Sequence, residues 1–307
     1  ITEALDKLQA GGSTAGGAGL RLAYATAEKA RIEGGINRVI LATDGDFNVG
    51  MASVDAIKEM IEAKREGGIQ LTALGFGVGN YNEALMEQIA DVGNGSYAYI
   101  DSLKEGHKVL VQEMASTLFT IARDVKIQVE FNPKVIAEYR LIGYENRALK
   151  REDFNNDKVD AGDIGAGHTV TALYEISLVG GKGRQVDPLR YGNKAMDGAD
   201  EKEFGFLKLR YKGPDGGDSK LMKTPLLTAW LTEPDATPSD DFRFAAAVAA
   251  FGQKLRGGKY VGGIGFDGII DLASGARGGD TFGYRAEFTT LVRLTKSLKS
   301  SQVGQAR

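Results

Sequence analysis

The chain has 307 residues with 38 basic and 41 acidic side chains, a formal net charge of −3, two histidines and no cysteine. That length buries a core without staples or a structural metal, and the near balance of charge gives no electrostatic drive toward nucleic acid or a polybasic attachment to a membrane surface. Absent cysteine excludes disulfides, thiolate zinc centres and cysteine nucleophiles while leaving the compartment open, and His107 and His168 are too few and too far apart for a multi-histidine metal centre or a Ser–His pair.

The opening ITEALDKLQA starts at Ile1 and has the pattern of the middle of an amphipathic helix. An upstream segment carrying any signal peptide or lipid anchor is therefore expected. Gly11-Gly12 ends that helix, and a second helix is expected over 16–32. RVILAT at 38–43 is an apolar, β-branched run, the form of a parallel strand buried on both faces, and it delivers Asp44-Gly45-Asp46. The amphipathic stretch 53–66, with Ser53 as N-cap and Gly67-Gly68 as its stop, leads into a strand over 69–76. A helix near 81–91, the turn Gly93-Asn94-Gly95, a strand in SYAYI and a long closing helix over 103–122 complete the alternation. Strands alternating with helices in this way predict an open α/β sheet with right-handed crossovers.

After Arg123 the period changes to two. VKIQVEFN, VIAEYRLIGY, HTVTALYEISLV, FGFLKLRYKG and KLMKTPLLT alternate apolar and polar residues, which predicts an antiparallel β domain over 124–232. Its glycine- and aspartate-rich connections at 151–167 and 180–203 read as turns. FRFAAAVAAFGQKL, IGFDGIIDLASGAR and YRAEFTTLVRLTKSL then predict a helical segment over 233–307 that must pack to bury its apolar faces. No run of about twenty apolar residues is present to span a bilayer.

Two stretches place hard oxygen donors where an open α/β sheet holds its ligands, outside the carboxyl ends of the strands. Thr14 stands in GGSTAGGAGL just ahead of a helix, and Asp44 closes the strand in RVILATDGDFNVG. Taken alone, Thr14 also fits a helix N-cap and Asp44 an end-of-strand turn. Ser13, Asp46 and Asn48 suit capping and turn roles better than assistance to a bound ion.

These two stretches resemble the second and third segments of the metal-ion-dependent adhesion site of von Willebrand factor type A (VWA) domains. The resemblance implies a Rossmann-like VWA fold over 1–123 in which Thr14 and Asp44 bind Mg²⁺, or Mn²⁺ or Ca²⁺, with a partner's acidic group completing the octahedron. Magnesium accepts few carboxylates plus water, so an open position suits it. The first segment of that site, Asp-x-Ser-x-Ser, occurs nowhere in the sequence, and Asp271-Leu-Ala-Ser274 has the wrong spacing. The N-terminal part of the VWA domain is accordingly expected upstream, and metal binding by this chain alone is expected to be weak. FNPKVIAEYRLIGYENRAL, DFNNDKVDAGDIGAGHTVTALYEI and DDFRFAAAVAAFGQKLR further resemble the uncharacterised C-terminal region of the bacterial YfbK-like family.

Other signals carry less. GFGVGN at 75–80 reads as a tight βα turn, because Asn80 replaces the third glycine of a dinucleotide fingerprint. GGSTAGGAG lacks the Lys-Ser/Thr of a phosphate loop. DFNNDKVDAGDI at 153–164 begins like a calcium loop but has Lys158 where glycine is needed and Ile164 in place of the bidentate acid. The resulting expectation is a metal-dependent protein-binding module of the bacterial cell envelope, periplasmic, outer-membrane-anchored or at the surface, and not an enzyme. Its rivals are a structural component of a self-assembling surface array with an incidental metal site, and an accessory subunit of an AAA+ ATPase machine.

Overall fold

The computed structural model describes residues 3, 6–7, 16–44, 53–77, 82–144, 148–159, 161–181, 185, 201–231 and 237–305, with 302–305 as backbone alone. The chain forms two compact units, one of residues 1–127, 151–169 and 209–222 and the other of 128–150, 170–208 and 223–307.

The first unit holds α1 (Gly16–Lys29), β1 (Arg38–Thr43), α2 (Val54–Glu66), β2 (Gln70–Phe76), α3 (Glu83–Val92) and β3 (Tyr97–Ile100). The strands form a parallel sheet in the order β1-β2-β3, with Thr43 level with Gly75 and Phe76 level with Ile100. Odd-numbered strand residues point to one face, where Val39, Leu71 and Ala73 meet Leu20 and Tyr24 of α1, Ile57 and Ile61 of α2, and Met86 and Ile89 of α3. Burying an aliphatic side chain in such a cluster contributes about 1.5–3 kcal/mol. The helices start where the sequence supplies caps: Ser53 accepts from the Ala56 amide at 3.1 Å, and Asn82 from the Leu85 amide at 3.1 Å. Gly95 follows α3 because a Cβ there would lie 1.5 Å from the Leu71 carbonyl oxygen, so only glycine lets the turn run against β2.

Two local expectations fail in this unit. β1 is not buried on both faces: Val39 is 8 % exposed but Ile40 is 52 % exposed. The even-numbered face is covered over β2 and β3, where Val109 packs on Leu74 and Ile100, and among the described residues β1 has a neighbouring strand on one side alone. The closing helix over 103–122 is broken into α4 (Leu103–His107), a π-helical turn (Lys108–Gln112) and α5 (Met114–Leu118), and Thr120 already begins β4 (Thr120–Phe131). Gly106 and the β-branched Val109, Val111, Thr117 and Ile121 are weak helix formers, and Thr120 is taken by strand pairing with Gly165.

β4 pairs antiparallel with β6 (Gly162–Gly165), a short strand inside the stretch expected to be turn, and the sheet order is β6-β4-β8-β9. β8 (Glu203–Gly213) and β9 (Gly216–Leu227) are adjacent and joined by two residues, a connection that requires an antiparallel hairpin. β9 lies at the sheet's edge, the position that tolerates Pro225. Each stretch with period two contributes a strand, HTVTALYEISLV only over β7 (Leu173–Leu178), whereas β6 arises where a turn is expected.

In the second unit β7 pairs antiparallel with β5 (Ile136–Ile142). The phenyl ring of Phe131 lies 4.6 Å from that of Tyr139 and 5.3 Å from that of Tyr174. The C-terminal helices are α6 (Asp240–Leu255), α7 (Phe266–Ser274) and α8 (Tyr284–Gln305). They bury one another: Ala247, Phe251, Ile269, Ala273 and Val292 form a single cluster, with Phe288 edge-on to Phe244 and Phe251 at 5.3 and 5.5 Å. Ser239 caps α6 by accepting from Phe242, and the Asp280 carboxylate accepts from the Arg285 and Ala286 amides at 3.0 and 2.9 Å at the start of α8.

Candidate metal centre

The carboxyl edge of β1-β2-β3 is where the first unit can offer a ligand site. β1 ends in buried Thr43 followed by exposed Asp44. The carboxylate of Asp44 makes no hydrogen bond or ion pair with the described residues. Beside it, β2 is followed by Gly77, whose φ is +77° and whose missing Cβ would lie 3.7 Å from the Asp44 Cβ. The left-handed backbone requires glycine there and keeps the flank of Asp44 clear of a side chain. The Gly77 carbonyl accepts a hydrogen bond from the Tyr99 hydroxyl of β3, which ties the ends of β2 and β3 together. At the end of β3, exposed Asp101 precedes Ser102, which caps α4 by accepting from the Glu105 amide at 3.2 Å.

Of the sequence-derived candidates, Asp44 stands at this edge, and Thr14, Ser13, Asp46 and Asn48 lie outside the described residues. Neither Gly77 nor Tyr99 is read from the sequence as part of this edge. The turn glycine was visible in GFGVGN, but a hydroxyl reaching across two strands leaves no mark in the spacing. Among the described residues no three His, Cys, Asp or Glu side chains converge. The described part of this edge offers one carboxylate, a donor compatible with a small hard cation that takes few carboxylates together with neutral oxygens and water.

The calcium-like loop at 153–164 is organised around a lysine. Lys126 of β4 is 2 % exposed, and its ammonium donates to the carbonyls of Asp153 and Asn156 at 3.2 and 2.5 Å. Asp157 accepts from Ser219 at 2.8 Å and from Arg210 at 3.0 Å, and these partners, Ser219 first, hold its carboxyl below the usual range. Lys212 donates to the Asp157 carbonyl at 3.0 Å and pairs with Asp124 at 2.5 Å. Asp163, half-buried on β6, accepts from the Asp124 amide at 3.3 Å through one oxygen, while the other oxygen is buried without a partner among the described residues. Burial pushes its carboxyl up to about 6. Of the two histidines, exposed His107 lies 3.3 Å from the Gln112 amide nitrogen, and the backbone of exposed His168 closes a turn on Gly165.

Comparison with known proteins agrees with this architecture. The family model for the von Willebrand factor type A domain matches residues 1–113, and that described as "Uncharacterized protein YfbK, C-terminal" matches residues 116–298. The Escherichia coli protein described as "Uncharacterized protein YfbK" is 52 % identical over 296 residues, covering 96 % of this chain and 50 % of its own length. "Uncharacterized protein sll0103" of Synechocystis is 23 % identical over 256 residues, covering 81 % of this chain and 56 % of its own. The chain thus spans about half the length of the curated relatives it matches. Among solved structures, a von Willebrand factor type A protein from Catenulispora acidiphila is similar with a TM-score of 0.43 at 19 % identity, covering 92 % of this chain and 65 % of that one. A VWA domain, the kind of module that mediates protein interactions, is followed here by the YfbK C-terminal region, and the chain belongs to the YfbK family.

Proposed function

We propose that the chain is part of a divalent-metal-dependent protein-binding module of the bacterial cell envelope, with the ion at the carboxyl edge of β1-β2-β3. The observation that carries this reading is Asp44: an exposed carboxylate at the end of a parallel strand, unpaired by the described residues, with Gly77 leaving its flank clear. Asp44, and Thr14 by family resemblance, would hold Mg²⁺ or a similar ion. When bound, such an ion supplies a positive centre with an open position that a partner's acidic side chain can occupy. The residues of the chain orient and limit that contact. Thr43 anchors the strand end, Gly77 keeps bulk away from the carboxylate, and Tyr99 holds the neighbouring loop by its carbonyl. The rest of the donor set belongs to segments outside the described residues or to the remainder of the protein.

The test is a Mn²⁺ titration of the full-length protein followed by electron paramagnetic resonance, with and without Asp44→Ala. One Mn²⁺ site that disappears in the variant is expected. Equal Mn²⁺ affinity in both proteins would overturn the assignment. Where a partner is in hand, its binding should be lost both in chelator and in the variant.

A further inference from the structure

The loop joining α7 to α8, residues 275–283, is fastened from several sides. Arg243 donates to the Gly275 carbonyl at 2.9 Å, Arg285 to the Ala276 carbonyl at 2.8 Å, and the Gly283 amide to the Asp280 carbonyl at 2.8 Å. Asp280 has 6 % of its side chain exposed and caps α8. The guanidinium of Arg285 lies 4.8 Å from the centre of the Phe244 ring, which packs on the cluster joining the three helices. A loop held in this way is ordered before any ligand arrives, which lowers the entropic cost of binding one.

Between this loop and the start of α6 lies a cleft of about 500 Å³, within the size range of small-molecule sites. Its charged lining residues are Asp240, Asp241, Asp280, Arg277 and Arg285. Each carboxylate is already ion-paired, Asp240 with Arg243, Asp241 with Arg285 and Asp280 with Arg277. A cation or an anion therefore finds no uncompensated charge here, and a purely apolar ligand would strip water from charged groups without replacing it. An aromatic ledge stands beside the ion pairs: Phe282 is 57 % exposed, and the Tyr284 ring lies 5.9 Å from it, inclined at 33°. The Thr281 hydroxyl makes no hydrogen bond with the described residues. Gly279 also lines the cleft, yet its φ is not left-handed and a Cβ there would meet nothing within 4 Å. Neither backbone nor packing requires glycine at this position, and the missing side chain leaves the space of the cleft.

Neutral hydroxyl groups are the chemistry that paired ions still accept, because a carboxylate and a guanidinium each keep lone pairs or N–H groups beyond those that one ion pair uses. An apolar C–H face is what an exposed phenyl ledge accepts. A pyranose ring carries both. We propose that the cleft between the α7–α8 loop and the start of α6 binds a neutral saccharide, with a C–H face of the sugar on Phe282 and its hydroxyls within reach of the Asp240, Asp241 and Thr281 oxygens and the Arg277 guanidinium.

The test is saturation-transfer nuclear magnetic resonance on the full-length protein with maltotriose and tri-N-acetylchitotriose, trisaccharides of different linkage. At least one should bind, with a dissociation constant of roughly 0.1–10 mM. Phe282→Ala should weaken that binding by about tenfold or more, and Phe282→Trp, which keeps the ledge, should preserve it. Gly279→Leu fills the cleft from a position with room for a side chain, and should abolish binding while circular dichroism and the melting temperature stay unchanged. Chelator and Asp44→Ala should leave sugar binding intact, which separates this cleft from the metal-edge reading. Retention on insoluble chitin or starch in addition would identify a polymeric glycan as the source, and trisaccharide binding without it a soluble sugar; both outcomes support the proposal. No binding of either trisaccharide at about 20 mM, above the expected range, or binding that Phe282→Ala or Gly279→Leu leaves unchanged, overturns it.

Discussion

The two oxygen-rich turns of the first unit meet opposite electrostatic circumstances. In the 151–159 stretch the acceptors of Asp153, Asn156 and Asp157 are answered from within the chain: Lys126 fills the carbonyls of Asp153 and Asn156, and Ser219 and Arg210 take the Asp157 carboxylate. At the end of β1 the Asp44 carboxylate has no such answer among the described residues. A turn whose cation is covalently part of the protein is a fastening. A turn whose carboxylate faces outward beside a glycine is open to a ligand. On the proposed reading the first turn contributes stability and the second recognition, and substitutions can separate the two.

The largest effect is expected at Lys126. Lys126→Met retains most of the apolar stem but leaves two carbonyls without their donor, at about 1–3 kcal/mol for an unsatisfied buried group. A loss of about 2–4 kcal/mol by urea denaturation is expected. If millimolar calcium restored the stability of the variant, the loop would be a latent ion site and the contrast with Asp44 would collapse.

Asp163 is the imperfect joint of the fastened side, and its carboxyl is raised to about 6, chiefly by burial. Its unfolded value is about 3.9. A carboxyl raised on folding binds its proton more tightly in the native state, so its contribution is fully present below about pH 4 and is lost as pH rises through about 6. The stability of Asp163→Asn relative to the parent should therefore improve by about 2 kcal/mol between pH 4 and pH 8. Parallel stability curves for the two proteins would show that Asp163 titrates normally.

A smaller and opposite effect is expected in the helix–sheet core. Tyr24 is fully buried, and its hydroxyl has no hydrogen-bond partner among the described residues. Burial pushes that hydroxyl up. Tyr24→Phe removes an unsatisfied donor without changing the packing, so it should raise stability by about 1 kcal/mol. A loss of that size in thermal unfolding would mean that the hydroxyl is bonded in solution.

The legibility of these features in sequence follows from the range of the interactions behind them. The strands from β1 to β3 and the helices from α1 to α3 were readable because apolar period and caps such as Ser53 are local. Asp44 was readable because strand end and turn lie side by side in the chain. Lys126 looked like any polar residue in the alternating VKIQV, since its partners lie 27 and 30 residues away. The break in the 103–122 helix came from competition: weak helix formers yielded Thr120 to a strand pairing with Gly165, in a segment that itself reads as a turn. Long-range pairing decides such cases, and periodicity does not report it.

The smallest stability effect should belong to Asp44, and that is what gives it diagnostic value. An exposed carboxylate with no described partner contributes little to folding, so Asp44→Asn should move the urea midpoint by no more than the equivalent of about 0.5 kcal/mol. The same change removes the charge that a divalent ion requires and should abolish metal-dependent binding in the full-length protein. A residue that fastened the turn would behave in reverse, costing stability with or without metal. If Asp44→Asn destabilised the metal-free protein as much as Lys126→Met does, both turns would be fastenings and the recognition surface would have to be sought away from this edge.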